Sequence, residues 1–232
     1  MRLKVCFLLA LLPLWHSTAA NAAVTVGATR LIYDGAANEA NLTVSNRDDT
    51  SPYLVQSWVS RFGSGNEESV DNFIVTPPLF RLDANKENIL RVIFTGDPEV
   101  PQDRESLFLM NVKAIPAMSD EQKGKNVLQI ALKTTIKLFY RPAGLKGSLK
   151  DAVAQVNWKA QAGALAFNNT SRLHVVVSEL KLNGLPITQA PDVLRPGEAR
   201  ELAIQAKAGD EVSLSYIDDY GSTVDAPVIR IH

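Results

Sequence analysis

Val127-Leu-Gln-Ile-Ala-Leu-Lys-Thr-Thr-Ile-Lys-Leu-Phe-Tyr140 is the longest β-rich run of this 232-residue chain, and its reading decides the fold. It spans 14 residues, against about 5–6 for an ordinary strand. Side chains alternate across a strand, so Leu128, Ile130 and Leu132 share one face, and Val127, Gln129, Ala131 and Lys133 the other. A long apolar strand at a sheet edge is an aggregation hazard that proteins normally blunt. Two readings follow. The run is a central core strand, or it is a strand offered to the sheet of another protein, each buried apolar side chain then contributing about 1.5–3 kcal/mol.

Upstream of this run, short β-rich segments recur and helical periodicity is hard to find. They are Val24 to Tyr33, ending at the turn Asp34-Gly35, then Asn41 to Ser45, Tyr53 to Val59, Phe73 to Thr76, Ile89 to Phe94 and Ser106 to Ile115. Pro77-Pro78 removes backbone donors and marks an edge or bend. With Val127–Tyr140 this makes seven strands within about 120 residues, the sequence form of an immunoglobulin-like sandwich. Trp58 is the candidate for its core.

Downstream, Arg141-Pro142-Ala-Gly144 breaks the pattern and reads as a domain boundary. Shorter strands resume at Ala152–Trp158, Ala164–Phe167, Leu173–Leu182, Glu201–Ile204, Val212–Ile217 and Pro227–Ile231, with turns at Asn183-Gly184 and Arg195-Pro-Gly197. The expectation is an all-β protein of two immunoglobulin-like sandwiches, residues 23–142 and 143–232. The length suits two domains of about 100 residues. The composition, 46% hydrophobic and 21% charged, is that of a globular chain.

Residues 1–22 read as a cleaved secretory signal: Arg2 and Lys4, an apolar stretch from Val5 to Trp15, and Ala20-Asn-Ala22 ahead of Ala23. The stretch is about half the ~20 residues that span a bilayer. Cys6, the only cysteine, leaves with it, and the net charge goes from −1 to −3 as Arg2 and Lys4 are lost. An exported chain without a disulfide is held by packing alone. No strong overall field draws it to nucleic acid.

Chemistry is not evident. No phosphate-cradling Gly-x-x-x-x-Gly-Lys loop and no Gly-x-Ser-x-Gly elbow is present. His174 and His232 form no metal-ligand cluster, and His174 within Leu173-His-Val-Val-Val177 reads as a strand-face residue. Asp218 and Asp219 are adjacent, so a strand would send them to opposite faces. Asn41, Asn168 and Asn169 begin nominal glycosylation sequons. No enzyme, cofactor, nucleotide or metal is expected.

Six segments carry a family resemblance. They are Thr29-Arg-Leu-Ile-Tyr-Asp-Gly35, Thr76-Pro-Pro78, Pro101-Gln-Asp-Arg-Glu-Ser-Leu-Phe108, Asn111-Val-Lys-Ala-Ile-Pro116, Ile136-Lys-Leu-Phe-Tyr-Arg-Pro142 and Ser215-Tyr-Ile-Asp-Asp-Tyr-Gly221. In this order, across nearly the whole mature chain, they resemble the periplasmic chaperones of chaperone–usher pilus assembly. The resemblance implies two immunoglobulin-like domains in an L or boomerang with a cleft between them. It implies that Arg30 and Lys137 anchor the C-terminal carboxylate of an unfolded pilus subunit. It also implies that Leu128, Ile130 and Leu132 plug the groove left by the subunit's missing strand. Glu105, Arg141 and Asp219 are implied to form an interdomain charge network.

Partners implied in the same way are pilus subunits, an outer-membrane usher and, in the free state, a second copy in a self-capping dimer; the implied location is the periplasm. The short charged connection from Pro116 to Asn126 and the absence of cysteine from the mature chain resemble the short-loop subclass. Leu132 and Lys137 are five apart, so strict alternation sets them on opposite faces, and a bulge, twist or bend is expected between plug and anchor. The alternative is a secreted structural or adhesive pilus component. Such a subunit would usually carry a disulfide and an N-terminal donor extension, and this chain shows neither. A secreted enzyme is the third class, disfavoured by the empty search for catalytic residues.

Overall fold

The computed structural model describes residues 23–63, 65, 68–118 and 124–231. The expected signal segment, residues 1–22, lies outside the described residues, as do residues 119–123 of the charged connection. Strands in the first half are β1 (Val24–Val26), β2 (Arg30–Asp34), β3 (Ala40–Asn46), β4 (Tyr53–Arg61), β5 (Phe73–Thr76), β6 (Leu79–Leu82), β7 (Glu87–Phe94), β8 (Ser106–Pro116) and β9 (Leu132–Arg141). They form two sheets, ordered β1-β3-β7-β5 and β2-β9-β8-β4-β6. Alternating residues of both sheets, among them Leu42, Val44, Val55, Val59, Leu90, Met110 and Leu138, interlock in one core. An aromatic cluster adds to this core. Tyr140 lies 4.2 Å from Phe94, and Phe73 lies 4.9 Å from Phe108, centroid to centroid.

The second half begins with a helix, α1 (Leu149–Ala154), and continues through β10 (Val156–Gln161), β11 (Ala164–Asn169), β12 (Val175–Leu182), β13 (Leu185–Pro186), β14 (Val193–Leu194), β15 (Ala199–Gln205), β16 (Glu211–Ile217), β17 (Thr223–Asp225) and β18 (Ile229–Arg230). Sheets β10-β11-β15 and β13-β12-β16-β17, with β14 on β12 and β18 on β16, enclose a separate core around Phe167, Leu165, Leu180, Leu194 and Ile231.

Several expectations change. Val24–Tyr33 is two strands, because β1 pairs with β3 whereas β2 crosses to the other sheet and runs parallel to β9. β6 follows Pro78 as a strand the sequence reading did not separate. The expected strand Ala152–Trp158 starts as α1, for which Ser148 and Asp151 form a reciprocal capping box. Trp58 is only half-buried and stays out of the core, since Val55, Ser57 and Val59 point inward on its strand. Asn169 is fully buried, its amide donating to the Leu173 and Leu194 carbonyls, which rules it out as a surface sequon.

The 14-residue run is also shorter as a strand than expected. β9 starts at Leu132, opposite Ala114, and residues 127–131 are exposed and outside the sheet, with the Gln129 side chain donating to the Pro116 carbonyl. Their natural partner runs out: β8 ends two residues later at Pro116, which has no N–H to continue a ladder. The contrast between covered and uncovered parts of one run is measurable. Leu138→Ala, at a fully buried site, should cost about 2–5 kcal/mol in urea unfolding. Ile130→Ala, at a site 63% exposed, should stay within about 0.5 kcal/mol.

Candidate functional site

The two sandwiches meet at a seam that is apolar in its middle and charged at one end. Phe139 from β9 packs with Val176 and Val193 from the second sandwich, bordered by Ile32, Leu107 and Ile217. Next to it Glu105, just ahead of β8, is buried with its side chain 1% exposed. Arg141 Nε donates to Glu105 Oε2 at 2.7 Å, while its two terminal nitrogens donate to Asp219 at 2.8 and 2.6 Å. Bidentate geometry of this kind is the strong form of an arginine–carboxylate pair. Burial by itself would lower the Arg141 pKa, but the hydrogen bonds and charges of Asp219 and Glu105 outweigh it and hold the guanidinium above its ordinary range. Asp218, by contrast, turns away to accept the N–H groups of Tyr220 and Ser222.

His174 completes this cluster. It precedes β12, and is not a strand-face residue as expected. Its backbone N–H donates to Glu105 Oε1 at 3.1 Å and its Nδ1 lies 3.0 Å from the same oxygen. Only its apolar neighbourhood was visible in the sequence; a partner 69 positions away leaves no local signal.

Arg30 and Lys137 are register partners on β2 and β9, and so lie side by side. Two cations about 6 Å apart repel by roughly 3 kcal/mol at an effective dielectric near 20. Arg30 is 9% exposed, its guanidinium 5.7 Å from the Phe139 ring centroid, and Nη1 donates to the Ile217 carbonyl at 3.1 Å. Burial pulls its pKa below the ordinary value, against the opposing pull of Asp219, Asp218 and Glu105. Its Nε is buried with no partner. Lys137 Nζ lies 3.0 Å from Asp192 Oδ2 of the second sandwich.

β2 covers the outer edge of β9 only from Lys137 to Arg141, because the pairing begins at Arg30. Among the described residues no strand pairs with that edge over Leu132–Ile136. This open stretch of edge ends where Arg30 and Lys137 stand.

The register of β9 on β8 is unbroken from Leu132 to Tyr140, so no bulge interrupts the strand. Ile136 and Leu138 face the core, and Leu132 has their parity. The core-facing row therefore continues off the end of the sandwich into Leu132 (61% exposed), Ile130 (63%) and Leu128 (88%). Lys137 lies on the opposite face, with Phe139 toward the seam.

Residues 23–146 match the model of the pili and flagellar-assembly chaperones, PapD N-terminal domain, and residues 151–227 match the C-terminal domain of the pili assembly chaperone PapD. The chain belongs to the pilus-assembly chaperone family. It is 42% identical over 204 residues to the probable fimbrial chaperone LpfB of Escherichia coli O157:H7, covering 87% of this chain and 86% of the relative. Among solved structures it is similar to the E. coli chaperone DraB, with TM-score 0.74 and 34% identity over 90% of this chain and 95% of that one. It is also similar to a chain in the complex of the Salmonella enterica SafA pilin with the SafB chaperone, with TM-score 0.77 and 30% identity over 90% and 96%.

Two glycines in the segments that carried the resemblance allow close approach, Gly35 against the end of β9 and Gly221 across the seam. A Cβ on Gly35 would lie 2.8 Å from the Arg141 carbonyl oxygen and the Ala143 nitrogen. A Cβ on Gly221 would overlap the Thr29 hydroxyl. The charged cluster sets the sharper test. Arg141→Ala leaves Glu105 buried without its cation and should cost about 3–5 kcal/mol in urea unfolding. Asp219→Asn should cost less, because its side chain is 32% exposed and Arg141 keeps Glu105.

Proposed function

We propose that this protein is a periplasmic, non-enzymatic chaperone that binds, folds and caps pilus subunits and delivers them to an outer-membrane usher. In this reading residues 1–22 are a cleaved export signal, residues 23–142 the domain that donates the strand, and residues 143–232 the second domain. The observation that carries the proposal is the open edge of β9 beside an exposed apolar row, with the edge ending at two cations.

The mechanism follows from that geometry. The last strand of a subunit adds to the β9 edge through main-chain hydrogen bonds. Its terminal carboxylate meets Arg30 and Lys137, which fixes the register by charge-assisted hydrogen bonds. With the register fixed, Leu128, Ile130 and Leu132 fall into the groove of the subunit and supply the core contacts it lacks. Glu105, Arg141 and Asp219 keep the second sandwich from swinging over the site. No bond is made or broken, so binding alone supplies the free energy.

Co-expression with a fimbrial subunit in the periplasm tests the proposal. The wild-type chain should yield a soluble one-to-one complex without ATP. Arg30→Ala and Lys137→Ala should remain folded by circular dichroism yet recover at most a small fraction of the subunit. A double variant that forms the complex at wild-type yield would overturn the anchor, and a subunit equally soluble without the chain would overturn chaperone action.

The open edge also suits a second copy of the chain when no subunit is present. Sedimentation should then show a concentration-dependent dimer that Ile130→Asp abolishes. A wild-type chain that stays monomeric at every concentration would exclude self-capping.

A further inference from the structure

Arg30 and Lys137 are not equally available. Arg30 donates to a backbone carbonyl and keeps an unpartnered Nε, whereas Lys137 is already paired with a carboxylate, Asp192, at 3.0 Å. That carboxylate belongs to the second sandwich, immediately before β14.

The contact is built into the seam. The Asp192 carbonyl accepts the Val177 N–H at 3.0 Å, and the next residue, Val193, is buried against Phe139 and Val176. Phe139 stands two residues beyond Lys137 on β9, hence on the same face. Apolar packing of the two neighbours thus delivers the carboxylate to the ammonium group. The pair is also asymmetric: the Asp192 side chain is 63% exposed and that of Lys137 24%. Water can take up Asp192 when it lets go, whereas Lys137 stays in the cleft.

We propose that Asp192 is an internal stand-in for the C-terminal carboxylate of the subunit, holding Lys137 in the empty chaperone and giving way when a subunit arrives. This rests on the reading of Arg30 and Lys137 as the anchor. Two carboxylates compete for one ammonium group, so the apparent affinity for the subunit is reduced by the fraction of molecules in which Asp192 is in place. Arg30, held by a backbone carbonyl and not by a carboxylate, takes the first contact, and Lys137 follows as Asp192 turns to solvent. The returning Asp192 weakens the hold at the moment of transfer. The same contact keeps a bare pair of cations from collecting unrelated anions.

The test is a binding titration with a synthetic peptide copying the last strand of the subunit recovered by co-expression. It is made once with a free C-terminal carboxylate and once as the amide. Asp192→Asn should bind the carboxylate peptide about 2–5-fold more tightly than wild type, the range expected for loss of a partly exposed ion pair. It should bind the amide peptide unchanged, and Asp192→Glu, which keeps the charge, should behave as wild type. On a Lys137→Ala background Asp192→Asn should have no effect. Equal or weaker carboxylate binding by Asp192→Asn, or an equal gain for the amide, would overturn the stand-in while leaving the anchor intact. Failure of the anchor itself looks different: wild type would bind both peptides alike, Lys137→Ala would change nothing, and the stand-in would fall with it.

Discussion

A carboxylate with almost no exposure to water must find its partners inside the protein, and for Glu105 those partners come from both sides of the seam. Arg141 reaches it from the end of β9 and His174 from the second sandwich, while Asp219 takes the other side of the same guanidinium. Separating the sandwiches would strip partners from a buried charge, a far larger penalty than the loss of a surface ion pair. Gly221 lets the loop after Asp219 approach Thr29 of the first sandwich, where a Cβ would overlap. The backbone N–H of Glu105 also crosses the seam, to the Arg172 carbonyl. The relative placement of the halves thus rests on a few directional bonds around one buried group.

That placement gives meaning to what lies farther along β9. The strand starts outside the first sandwich, enters its core at Ile136 and ends at the seam. A single alternation therefore does two jobs along one strand: even positions put Ile136, Leu138 and Tyr140 in the core and, past the polar Thr134, continue outward as Leu132, Ile130 and Leu128, whereas odd positions carry Lys137 and Phe139 toward the second sandwich. An incoming strand that extends the sheet would find the apolar row on one face and the cations at its end.

Holding such an edge open requires stability from elsewhere, since the exposed row contributes nothing to folding of the free chain. With no cysteine among residues 23–232, the first sandwich relies on its aliphatic core and on the cluster of Tyr33, Phe73, Phe94, Phe108 and Tyr140. The Tyr33 hydroxyl ties that cluster to the backbone by accepting the Phe94 N–H and donating to Asn38. The second sandwich has its own core, so each half offers the other a firm face at the seam.

By itself the sequence determined the all-β class, the two sandwiches and most strand positions, because alternation and turn residues are local properties of the chain. It also determined the residue types at Arg30, Lys137, Glu105, Arg141 and Asp219, through motifs short enough to read in order. The capping box at Ser148 and Asp151 was equally local, and could have revealed α1. Only the tertiary structure decided where β9 begins, because a strand ends where its partner does, and Pro116 ends β8. It alone placed Trp58 outside the core, His174 on Glu105 and Asp192 on Lys137. Burial and pairing depend on residues tens of positions away, and alternation within one strand carries no record of them.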